Sequence, residues 1–176
     1  MYHDQVMVTR RDGLGLVLPV AFAGLLLAGG IFGFFYAWIC STMWGLDAAD
    51  PRVAIAAMQA MNASVRNAVF APAFFGTGPV LLLAGVLAAR AGAGRAGWAM
   101  GLGGVLYLVG GMGLTIMVNV PMNEALALVT VPETTEEAAR IWAAYSPRWQ
   151  VFNTIRTIVS GVVLMLAGYG LYSLRS

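Results

Sequence analysis

Long apolar runs separated by short polar breaks set the pattern of this chain. The first run extends from Leu14 to Leu46, after a polar start that ends in Arg10-Arg11-Asp12-Gly13. A secretory signal would carry a core of roughly 7–15 apolar residues, so this run predicts a retained transmembrane helix. At 1.5 Å per residue it reaches about 50 Å, against about 30 Å of hydrocarbon. The helix must therefore tilt or project beyond the bilayer. Gly29 and Gly33 form a GxxxG pair, and Phe34, Phe35, Tyr36, Trp38 and Trp44 crowd its second half. These rings form either an interfacial belt or the wall of a flat pocket.

The breaks carry start signals. Asp50-Pro51 pairs an N-cap with a proline at the first helical position, opening a helix over 51–69. Residues 70–90 form the second span, with Pro72 and Pro79 near its start. The turn Ala91-Gly92-Ala93-Gly94-Arg95 joins it to an antiparallel third span over 97–118, whose glycines imply close helix contact. The polar stretch Asn119-Val120-Pro121-Met122-Asn123-Glu124 closes that span. Thr134-Thr135-Glu136-Glu137 reads as a capping box for a short helix over 134–145. Ser146-Pro147 then restarts the chain into a last span over 148–174. The expected fold is all-α: one transmembrane domain over 1–176, a four-helix bundle with short extracytoplasmic helices capping one end.

Composition agrees. The chain is 60% hydrophobic and only 10% charged, whereas soluble domains carry roughly 25% charged residues. All of its positive charge is arginine, spread over the helix ends, which provides no nucleic-acid surface. Cys40 and His3 are each the only residue of their kind, so the usual zinc and haem ligand sets are missing. No metal or organic cofactor is expected. Four spans put both termini on one side with Arg10, Arg11, Arg90, Arg95 and Arg175. Arg52, Arg66, Arg140, Arg148 and Arg156 fall on the other side. Counting Arg66 and Arg156 as intrahelical gives cytoplasmic termini in a bacterial inner membrane.

Three polar faces converge on the opposite end. Gln59, Asn62 and Arg66 recur at i, i+3 and i+7, Asn119 and Asn123 at i and i+4, and Trp149, Asn153 and Arg156 at i, i+4 and i+7. Arg156, two turns into the last span, either snorkels to the interface or has a buried partner.

The hexapeptide Asn119–Glu124, followed by Trp149-x-x-x-Asn153-x-x-Arg156-Thr157, resembles the anthrone-oxygenase-like family of small four-helix membrane proteins. Met61-Asn62 and the Gly/Phe-rich first helix are also similar, so the resemblance covers about Ala23 to Gly168. It implies oxygenation of a polycyclic anthrone to an anthraquinone with O2 and without a cofactor. On this reading Glu124 is the candidate base, its basicity raised by half-burial, or else a structural partner of Arg156. Arg156, with Asn123, Asn153 and Asn119, would hold the oxyanion. Trp149, Tyr36 and Phe35 would sandwich the ring, with Gln59, Asn62 and Arg66 on the remaining wall. The expected partners are a lipophilic anthrone-like or quinol-like substrate, O2 and membrane lipids, and the glycine-rich faces offer a route to homo-oligomers. One alternative is a non-catalytic lipid- or quinone-binding accessory protein. A second is a small transporter subunit.

Overall fold

A computed structural model describes residues 15–175. The polar start with His3, Arg10 and Arg11, and the expected first residue of the first span, Leu14, lie outside the described residues. Within them the fold is all-helical. It comprises α1 (Val17–Ala48), α2 (Pro51–Ser64), α3 (Phe70–Arg90), α4 (Gly94–Ala127) and α5 (Thr135–Ser173). By length and composition α1, α3, α4 and α5 are each able to cross a membrane, which is compatible with an integral membrane protein. α1 and α4 each pack against both α3 and α5, so the four helices form a ring. The short helix α2 packs on α5 and on the end of α4, capping one end of the ring.

The caps follow local chemistry. The Asp50 side chain accepts from the Arg52 amide at 2.9 Å, with Pro51 behind it. Thr134 accepts from the Glu137 amide at 3.4 Å. The tight α3–α4 joint turns on Gly92, whose φ of +78° suits a residue without Cβ.

Glycine also sets the distance between α3 and α4. A Cβ on Gly85 would stand 2.8 Å from the Gly101 amide nitrogen and 2.9 Å from the Gly97 carbonyl oxygen. Backbones approach this closely only where both sides lack side chains. Gly33, by contrast, has nothing within 4 Å of its Cβ position.

Two expected breaks are absent. The third helix does not stop at Val118. It continues through the polar hexapeptide to Ala127, with Pro121 in the first turn of its last α-helical segment, Val120–Ala127. Nor does a new helix begin at Ser146-Pro147, because α5 runs 39 residues with Pro147 inside it. The Ser146 hydroxyl does not cap. It donates to Asp47 Oδ1 at 2.7 Å. Trp142, Tyr145 and Trp149, on both sides of the proline, are buried in one cluster with Met43, Ile55 and Met58. Tertiary packing here outweighs the lost backbone bond. At its other end the helix expected over 51–69 stops at Ser64. Asn67 turns the chain into α3 by accepting from the Val69 and Phe70 amides at 2.8 and 3.0 Å.

Valine at Gly85 should force α3 and α4 apart, at about 1–3 kcal/mol or more for overpacking a closed core. Alanine at Gly33 should be neutral. Thermal unfolding in detergent reads both, and the expected result is a large drop in midpoint for Gly85→Val only.

Candidate functional site

A cavity of about 1070 Å³ lies where the capping cluster meets the middle of the bundle. Its floor and sides are aromatic. Phe34 and Phe70 have ring centroids 4.8 Å apart, Phe70 stacks on Phe74 at 5.3 Å, and Trp38 meets Trp149 at 5.0 Å. This volume is at the upper end of the range for small-molecule sites and suits a flat polycyclic ligand.

The α4 wall is built by an irregular helix. Tyr107, Gly111, Thr115, Asn119 and Asn123 recur every four residues, the first four buried and Asn123 partly so. In a regular α-helix four residues turn through about 400°, so four such strides would carry the row about 160° away from the interior. Two π-helical stretches, Tyr107–Gly113 and Thr115–Asn119, cancel that drift with wider turns. The row therefore stays turned toward the bundle interior.

Arg156 is 4% exposed and lines the cavity. Its Nη1 donates to Thr115 Oγ1 at 3.0 Å and its Nη2 to Asn153 Oδ1 at 2.7 Å. Asn153 Nδ2 in turn donates to the Phe35 carbonyl oxygen at 3.1 Å. The guanidinium carbon lies 4.5 Å from the Phe35 ring centroid and 5.3 Å from that of Trp149, a cation–π arrangement. No carboxylate pairs with it among the described residues. Nε has no partner. Of the two readings of this arginine, burial rather than snorkelling is found.

Asn123 is the second node. Its Oδ1 accepts from Tyr145 Oη at 2.8 Å and from Trp149 Nε1 at 2.9 Å, and its Nδ2 donates to Asn62 Oδ1 at 3.0 Å. One amide thus joins α2, α4 and α5 and fixes the indole against the cavity.

Several expected residues sit elsewhere. Glu124 is neither half-buried nor beside Arg156. Its side chain is 60% exposed and bridges Arg66 Nη2 at 3.4 Å, across the mouth of the cavity. This end of α4 leaves the carboxylate in contact with solvent. Gln59 is turned away and clasps the end of α4, donating to the Leu126 and Val129 carbonyls at 2.8 Å each. Tyr36 is half-exposed on the outer surface and stacks on Phe32, so Phe35 rather than Tyr36 faces the cavity. Asn119 is wholly buried and its amide has no protein partner, but it lies behind the wall rather than on it. Asp47 is a functional position that no local motif in the sequence marks. Asp47 accepts from Trp142 Nε1, Ser146 Oγ and Gln150 Nε2 at 2.7–2.8 Å, locking the end of α1 to α5 at the capped end of the bundle. The only signal for it was a carboxylate at the end of an apolar helix facing a Trp/Ser/Gln stripe at i, i+4 and i+8.

A family model described as anthrone oxygenase matches residues 65–166, which takes in the cavity mouth, all of α3 and α4, Trp149, Asn153 and Arg156. The chain belongs to the anthrone oxygenase family. Neither the curated proteins nor the solved structures contain a match. The family match covers the whole row on α4 and both polar nodes, while α1, which supplies Phe35, lies outside it.

Alanine at Asn123 strips the acceptor from two largely buried donors, at about 1–3 kcal/mol each. The unfolding midpoint should fall accordingly, and Trp149 fluorescence should change as its indole N–H loses its partner. An unchanged spectrum would show that the amide does not hold the ring.

Proposed function

We propose that this protein is a membrane-embedded, cofactor-free oxygenase of a lipophilic polycyclic aromatic of the anthrone type. Arg156 carries the reading. It is a buried guanidinium with only neutral partners, facing an aromatic-walled cavity. A buried charge without a counter-charge costs several kcal/mol. An anionic ligand or transition state at this point offsets that cost.

The chemistry suits an anthrone. Loss of a proton from the central CH2 leaves an anion whose charge resides on the ring oxygen. That oxygen meets the guanidinium, which Thr115 and Asn153 orient and Phe35 and Trp149 flank. The anion gives one electron to O2, the radical and superoxide combine at the central carbon, and the resulting peroxide is protonated and loses water. The balance is CH2 plus O2 to C=O plus H2O. Glu124, the one carboxylate among the described residues of the cavity lining, takes the proton at the mouth with Arg66 beside it. Because Glu124 is exposed, water reaches the same place, and its contribution is the smaller one.

Val69, Phe75 and Ile116 line the cavity while each is about half-exposed or more, so the mouth has an apolar lip between α3 and α4. We take this lip to face lipid, from which the substrate and O2 are drawn. With Arg156 buried and Arg66 paired to Glu124, the arginine bias favours cytoplasmic termini in a bacterial inner membrane, with α2 and the cavity toward the far side. A non-catalytic lipid- or quinone-binding protein would share the cavity but not the turnover.

Oxygen uptake by purified protein supplied with an anthrone in air tests the proposal. Arg156→Gln should lose about 10²–10³-fold in rate, as for removal of an oxyanion donor. Glu124→Gln should lose less. No acceleration by the wild type over buffer would sink the oxygenase reading and favour the binding protein.

A further inference from the structure

The cavity as it stands is shut at its inner end. Ile31, Phe35, Phe74, Trp149 and Arg156 all line it, yet none is more than 5% exposed. The guanidinium Nε is wholly enclosed. A plate of fused rings cannot reach these side chains unless something moves. The accessible lining lies at the mouth, where Arg66, Asn67, Ala68, Val69 and Glu124 are exposed.

The joint between α2 and α3 has the build of a moving part. Every residue from Ser64 to Ala71 lines the cavity. A helix would turn roughly one residue in three or four toward it, so here the chain runs across the mouth. Residues 65–69 are not helical. Their hydrogen bonds stay within the joint and the adjoining turns. The Val65 and Asn67 amides donate to the Met61 and Val65 carbonyls at 3.1 and 2.9 Å, and Asn67 Nδ2 donates to the Ser64 carbonyl at 2.7 Å. Among the described residues one bond ties the joint to another wall, the 3.4 Å pair of Arg66 with Glu124 on α4. Both side chains are exposed, so solvent competes for the pair and it holds weakly.

Phe70 follows the joint directly. It is the first residue of α3, and Asn67 Oδ1 holds its amide. Its ring packs on Phe34 of α1 and on Phe74. Phe34 in turn meets Phe35, the ring beside the guanidinium. We propose that residues 65–69 form a lid, latched by Arg66 to Glu124, whose opening withdraws Phe70 from Phe34 and admits a planar ligand from the mouth to Arg156. A weak latch suits a part that must open and close for each ligand. This inference rests on the reading of the cavity as an aromatic-ligand site, but it concerns entry and does not require oxygen chemistry.

Two readouts on the full chain in micelles test it. For the first, nitroxide labels are placed at Ala68→Cys and Val151→Cys, both exposed positions, with Cys40→Ala removing the native thiol. Arg66→Glu should enlarge a population with a longer label-to-label distance. The exchanged pair, Arg66→Glu with Glu124→Arg, should return it. The second readout is the rate at which 9,10-anthraquinone, which has no CH2 to oxidise, quenches Trp38 and Trp149 on the lining. Arg66→Ala should speed quenching about two- to fivefold, the worth of an exposed pair. A short, reducible bis-methanethiosulfonate bridge between Arg66→Cys and Glu124→Cys should slow it about tenfold or more, and reductant should restore it. Should a variant fail to fold, about 1 M salt on the wild type screens the pair and should speed quenching instead. Distances unmoved by Arg66→Glu, quenching indifferent to latch and bridge, or no quenching at all would each overturn the lid. A working lid without anthrone turnover would spare this inference and sink the oxygenase reading. Turnover with an unmoved lid would do the reverse.

Discussion

One unpaired charge organises this molecule. A guanidinium buried between helices with no carboxylate partner among the described residues is a state that folding alone does not favour, and the surroundings are arranged to make it tolerable. Two neutral oxygens hold its ends, and two aromatic faces supply the negative side of their quadrupoles. These supports come from three helices: Thr115 from α4, Asn153 and Trp149 from α5 itself, Phe35 from α1. The capping cluster and the middle cluster meet at this level, so the bundle is closed above and below the charge and open beside it.

Holding those supports in place explains features that otherwise look like defects. The π-helical stretches of α4 weaken its regularity, yet they keep Thr115 and Asn123 turned toward α5. Pro147 deprives α5 of a backbone bond, but Asp47 and the buried indoles brace the helix there. The Gly85–Gly97 contact brings α3 and α4 together below the cavity, so the gap between them opens only toward the mouth. Departures from ideal helical geometry here cluster around the site, as expected where function competes with regularity.

Much of this was legible in the sequence. The bundle follows from apolar run lengths and turn residues, and the spacing of Trp149, Asn153 and Arg156 put them on one face. Asn123 and Asn62 could be placed near that face, since both lie at helix ends on the same side. Other features were not readable from local spacing. A stride of four residues on α4 drifts out of register unless π turns are known to be present. Ser146-Pro147 has the local chemistry of a helix start, and only the distant Asp47 shows why none occurs. Glu124 lies next to Asn123 in sequence, so it was assigned to the same buried cluster. One residue along a helix is about 100° of rotation, which carried its carboxylate out to Arg66 and water. Tyr36 and Phe35 were separated in the same way.

The most direct test is to watch the guanidinium itself. In ¹H–¹⁵N spectra of the protein in micelles, the Arg156 Nε–H resonance can be assigned by its loss in Arg156→Lys. On this account it is protected from solvent exchange and moves strongly when a planar phenolate is added, but little when the corresponding methyl ether is added. A resonance that exchanges freely, or that ignores the phenolate, would mean that the charge is not held in the cavity for an anion.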